Sequence, residues 1–177
     1  MGLDYYDLTE DVRRYMVEEI EHDIKNGSLY FSNYLNETGF SSWPDYLIES
    51  AKAGSDDSLA RMISINGCFK ETVPRKKPSG GYSQVQVPYT AHETLSESQF
   101  NQYYMRALSR LALDNDIDQL EIYRAKQTGV PRPQSEALIG TYLHPQVVLD
   151  ELRRTVGVEP DLGLPLPNSG LSLKLPR

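Results

Sequence analysis

Cysteine is almost missing from this chain: Cys68 is the single one in 177 residues, so no disulfide can form within it. Nothing else in the composition points to an oxidising compartment, so the chain reads as intracellular or assembled inside a cell, with Cys68 as an inert, buried thiol. Long apolar runs are missing too. No stretch approaches the ~20 residues that span a bilayer, so no membrane partner is expected. The first thirty residues are acidic and lack the positive start and apolar stretch of a signal peptide. Met1-Gly2 opens a myristoylation pattern, but Tyr6 stands where Ser or Thr is required. A basic excess is also absent: 18 Lys+Arg face 25 Asp+Glu, for a net charge of −7, which argues against a general nucleic-acid binder.

What is present suffices for a globular core. With 39% hydrophobic and 24% charged residues the chain is too apolar for a disordered polymer and too polar for a membrane protein. A chain of this length buries roughly two-thirds of its unfolded surface without staples. The charge is unevenly spread. Residues 1–60 hold 13 acids and 4 bases, whereas residues 61–177 hold 12 acids and 14 bases. Such asymmetry suits either a solvated acidic helix face or head-to-tail attraction between copies.

Apolar spacing predicts a first helix from Thr9 to Asn26, with a stripe of Leu8, Val12, Tyr15, Met16, Ile20 and Ile24, capped by Thr9 and stopped at Asn26-Gly27. Trp43-Pro44-Asp45 predicts the start of a second helix that runs to Gly54, with Pro44 in its first turn. Ser55-Asp56-Asp57 caps a third that ends at Asn66-Gly67. Cys68–Val87 alternates around the Pro/Gly-rich, basic stretch 74–81, which predicts a two-stranded arm. Ser96 and Gln99 form a capping-box pattern that opens a long helix to about Leu113. In that helix Phe100, Tyr103 or Tyr104, Ala107, Leu108 and Leu111 face inward, while Arg106 and Arg110 lie on another face. Leu120–Lys126 alternates as a strand expected to pair with the base of the arm. His144-Pro145 opens a last helix that carries Val148, Leu149 and Leu152.

From Glu159 onward prolines and glycines exclude a helix, yet leucines recur at every second position within two runs. This predicts an extended tail that needs a groove, either on its own domain or on a neighbouring copy. The sequence therefore specifies an α+β protein: a mainly helical core of about five helices with a small β-sheet or β-arm. The expected organisation is one globular domain over 1–158, with the arm around 68–90, and an extended tail over 159–177.

Chemistry-bearing constellations fail on inspection. His22, His92 and His144 lie on different elements, with no Cys or His at ligand spacing, so neither a metal nor another cofactor is expected. Asp114–Asp118 starts like a calcium loop, but Gln119 and Ala125 occupy the positions that demand Gly and Glu. Asp118, Glu121 and Lys126 suggest a nuclease cluster, but the spacing puts Glu121 and Lys126 on opposite strand faces. Gly80-Gly81 lacks the rest of a phosphate loop. No catalytic constellation emerges, and an enzyme is not expected.

The remaining candidates form a binding surface: the basic tip Arg75, Lys76 and Lys77 beside Tyr82, the cations Arg124, Lys126 and Arg132, and the tail residues Leu164, Leu166, Asn168, Leu171 and Leu173. Twelve tyrosines favour interfaces, since each joins a large contact area to a polar tip.

The segments Tyr123-Arg124-Ala125-Lys126, Arg132–Gly140 and Pro167–Ser172 together resemble a family associated with bacteriophage and prophage genomes. Leu8–Arg13 and Arg75–Tyr82 are similar to it as well. The resemblance spans nearly the whole chain and implies a phage setting without an activity. With the arm and tail, it leads to the expectation of a structural subunit of the virion, assembled in the host cytoplasm from copies of itself and other virion proteins. A head–tail connector or neck position, or the capsid surface, would suit such a subunit. The alternative is a small phage effector whose basic loop binds nucleic acid or a host protein.

Overall fold

A computed structural model of the chain describes residues 2–127, 133–156 and 169–177. At its centre lies α4 (Ala91–Asp114), buried on almost every face from Leu95 to Ala112. Around it pack α1 (Glu10–Asn26), α3 (Asp56–Ile65) and α6 (Pro145–Arg154), while α2 (Glu37–Ala53) lies against α1 and α3. A short α5 (Pro133–Glu136) completes the helices among the described residues. Two small antiparallel sheets make this an α+β fold with a mainly helical core, as the sequence predicts.

Local signals account for most helix ends. Thr9 Oγ1 accepts from the Val12 amide at the start of α1, and Gly27, at φ 66°, ends it in a left-handed turn. Ser55 and Ser58 form a reciprocal capping box on α3, and His144 caps α6 ahead of Pro145. Two helices start earlier than predicted. Asn36, whose side chain accepts from the Gly39 amide, caps α2, so Pro44 sits inside the helix rather than in its first turn. The early start brings Gly39 against the chain entering the arm, where a Cβ would lie 2.2 Å from the Cys68 carbonyl oxygen. Likewise α4 begins at Ala91, so Ser96 and Gln99 are buried within it and cap nothing.

The arm is a two-stranded sheet of β1 (Thr72–Lys76) and β2 (Tyr82–Gln86), in the predicted place. β3 (Leu120–Arg124) does not join it. It is instead the middle strand of a second sheet, between β4 (Tyr142–Leu143) and β5 (Leu171–Lys174). Ile122, Leu171 and Leu173 are fully buried in the main core with Trp43, Phe100 and Tyr104, which explains the choice of partner: β3 pairs where its apolar residues are covered. The N-terminal segment closes the far side of β3. Asp4 donates its amide to the Ala125 carbonyl, Leu3 donates to Asp56, and Tyr123 Oη donates to the Asp4 carbonyl.

Candidate partner-binding surface

In the antiparallel arm, hydrogen-bonded and non-hydrogen-bonded pairs alternate. Val87 donates to the Glu71 carbonyl at the base and Lys77 donates to the Gly81 carbonyl at the tip, so Val73/Val85 and Arg75/Ser83 are the hydrogen-bonded pairs between them. The backbone groups of Thr72, Pro74 and Lys76 therefore face away from the ladder on one edge, and those of Tyr82, Gln84 and Gln86 on the other. Proline has no N–H, so Pro74 interrupts the β1 edge, which Arg75 and Lys76 also guard with charge. The β2 edge has neither proline nor charge along Tyr82–Gln86, and its outward amides and carbonyls are open to a further strand.

The turn that joins the strands needs two successive left-handed residues, Gly80 at φ 90° and Gly81 at φ 76°, a conformation that a Cβ penalises. It holds Arg75, Lys76 and Lys77 at the end of the arm, all exposed and in no ion pair among the described residues. Tyr82 is 70% exposed at the tip and Tyr89 90% exposed at the base. Val73 and Val85 line an open cleft of about 590 Å³ with Asn33 and Tyr34 of the facing loop and with Arg75 and Lys70. Lys70 Nζ donates to the Asn33 carbonyl at 3.0 Å. A smaller cleft of about 340 Å³ opens between the end of α3, the base of the arm and Tyr89 with His92.

No family model, curated protein or solved structure matches this chain.

The other candidate residues fare differently. Arg124 is committed within the fold, donating to the Ser169 carbonyl and pairing with Glu136, and Lys126 pairs with Glu97. They do not join the arm tip in one surface. Leu171 and Leu173 are corrected from partner-seeking tail residues to core residues. As part of β5 they are fully buried against β3, and Asn101 of α4 fixes them by donating to the Leu171 carbonyl at 2.9 Å and accepting from Ser172 Oγ at 2.6 Å. Arg132, Leu164, Leu166 and Asn168 lie outside the described residues. Of the residues that the sequence offers for partner binding, those both exposed and brought together are therefore Arg75, Lys76, Lys77 and Tyr82.

One polar cluster escaped the sequence reading. Arg106, expected on an outward face of α4, is fully buried and bonds Glu19 and Asp23 of α1. Tyr103 Oη donates to Asp23 at 2.8 Å, and Arg110 and Arg153 bond Glu19 from the rim. Burial alone raises both carboxyls, but Arg153 and Arg106 at Glu19, and Arg106 with Tyr103 at Asp23, hold them below the ordinary carboxylate range. Burial, with Asp23 beside it, pushes the Tyr103 hydroxyl far up. These groups satisfy one another and join α1, α4 and α6. The signal was present as Glu19 and Asp23, four residues apart on α1 beside the apolar stripe.

Among the described residues no group of three or more His, Cys, Asp or Glu is placed to hold a metal, and no helix is long and apolar enough to cross a membrane. Burial raises the Cys68 thiol, which keeps it protonated and poorly nucleophilic.

Proposed function

We propose that this chain is a structural subunit of a phage virion, assembled in the bacterial cytoplasm and held to neighbouring copies and other virion proteins through its β-arm. A head–tail connector or neck position, or the capsid surface, suits it. The observation that carries the reading is the arm itself. A two-stranded hairpin is marginal alone, yet this one extends from the core with an uncharged, open β2 edge and exposed tyrosines. Such an edge accepts an extended segment of a neighbour by strand addition, with main-chain bonds for affinity and side chains such as Tyr82 for selection. Many modest contacts of this kind lock an assembly through avidity. The phage setting comes from the sequence resemblance.

The test is mass spectrometry of gradient-banded particles from a strain that carries the gene. Stoichiometric presence is expected, with loss from particles when residues 72–86 are replaced by a short linker. Absence from particles overturns the reading.

The second reading is an effector that binds nucleic acid or a host protein through the basic tip, and what favours nucleic acid is three cations that form no ion pair among the described residues. Its mark is binding that weakens steeply with salt and disappears when Arg75, Lys76 and Lys77 become Ala.

A further inference from the structure

We infer that the partner of the arm tip is a second copy of this chain, with Arg75, Lys76 and Lys77 set against the acidic outer face of that copy's α1 and α2. The inference rests on the assembly reading above and names the partner of the same surface.

Charge complementarity carries it. Residues 72–86 contain three cations and no acid, while residues 1–60 hold 13 acids and 4 bases. Much of that acidity stands in water: Glu10, Glu21, Glu37, Asp45 and Glu49 are exposed on α1 and α2 and form no ion pair among the described residues. The same helices expose only Arg14, Lys25 and Lys52, and Arg14 already pairs with Asp11. The fold's own demand for acids is met elsewhere, since Arg106 takes Glu19 and Asp23. No ion pair joins the tip to α1 or α2 within one chain, so opposite charges of one sequence remain unneutralised on separate surfaces. A second copy brings them together.

The contact is heterologous: every copy that donates an arm still presents its own acidic face. Such joining closes into a ring or continues as a filament, according to the rotation between copies. Tyr82, beside the tip, supplies the apolar area that bare ion pairs lack. The open β2 edge is left for other extended segments.

Sedimentation velocity of the full chain over a concentration series, at low and high ionic strength, tests the inference. Self-association is expected at low salt and is expected to weaken as salt rises. The variant R75E/K76E/K77E should associate at least about tenfold more weakly, as like charges then meet. A second variant, E10K/E21K/D45K/E49K, should be equally impaired alone. Mixed, the two should pair, because the reversed arm now fits the reversed face. All seven positions are exposed, so unchanged thermal unfolding confirms that each variant folds.

Wild-type protein that stays monomeric at every concentration overturns the inference. So does association indifferent to either reversal, failure of the mixture to pair, or association seen only when duplex DNA is added. Particle mass spectrometry fails independently: a monomer found in virions sinks the inference alone, and charge-swapped pairing by a protein absent from virions sinks the assembly reading alone.

Discussion

Arg106 donates both Nε and Nη2 to one oxygen of Glu19, at 2.9 and 2.7 Å, and neither side chain reaches water. Its Nη1 and Nη2 reach Asp23 at 2.6 and 3.0 Å, so one guanidinium spans two carboxylates a helical turn apart. Removing it takes the guanidinium from buried Asp23 and leaves Glu19 to the rim arginines Arg110 and Arg153. Arg106→Met should lower stability by about 3–5 kcal/mol, read from denaturant unfolding. Arg106→Lys should recover little, because an ammonium lacks the planar fork that serves both partners.

Asp56 gives stability a pH dependence of opposite sign to that of Glu19 and Asp23. Its carboxyl is buried and pushed up to about 6 by that burial, against the Leu3 amide that donates to it. The folded state thus holds a proton that the unfolded chain, with a carboxyl near pKa ~3.9, has released. Its contribution falls as pH rises from about 4 to 6 and is flat above. Glu19 and Asp23 are depressed in the folded state, so their contribution is present above the unfolded carboxylate pKa and lost as pH falls through the folded value. Asp56→Asn keeps an acceptor for Leu3. It should raise the thermal midpoint at pH 7 and leave it nearly unchanged near pH 4.

The two sheets should respond differently to damage. Leu171→Asp places a charge in the core beside β3 and Asn101, and should abolish cooperative unfolding. Replacing residues 72–86 with a short linker should leave the thermal midpoint nearly unchanged, since the arm strands contribute no fully buried side chain. Equal losses from both changes would refute this division between fold and appendage.

Gly39 is a contact position, not a flexible one. A Cβ there would stand 2.2 Å from the Cys68 carbonyl, which is backbone and cannot turn aside. Gly39→Ala should cost about 1–3 kcal/mol through overpacking, whereas the tip variant Gly80→Ala should act on arm geometry with little change in unfolding.

The elements that could be read in the sequence are those whose cause is local. Thr9, Ser55 and His144-Pro145 announce helices because a cap needs only the next three residues. The arm shows because Tyr82–Gln86 alternates beside a Pro/Gly turn. Misreadings arose where a distant contact outweighed a local signal. Pro44 resembles a first-turn proline, but Asn36 caps α2 earlier and Trp43, bonded to the Tyr30 carbonyl, is buried mid-helix. Ser96 and Gln99 match a capping box, but Leu95 is already buried in a helix that began at Ala91. Arg106 looks like a solvated cation because its partners lie on another helix. Of the candidate surface, the basic tip with Tyr82 was legible. The open β2 edge was not, because it depends on which residues pair and not only on which are strands.

Asn101 ties the order of synthesis to the order of folding. Its side chain lies deep in α4, and its partners, the Leu171 carbonyl and the Ser172 hydroxyl, are made long after α4 and β3. Until β5 emerges from the ribosome, a buried amide lacks its bonds and Ile122 lacks its cover. The nascent chain must therefore wait with an apolar trough beside β3, the kind of surface that chaperones hold and aggregates exploit. β5, translated after the α4 and β3 surfaces that it covers, is what converts that waiting chain into a finished core.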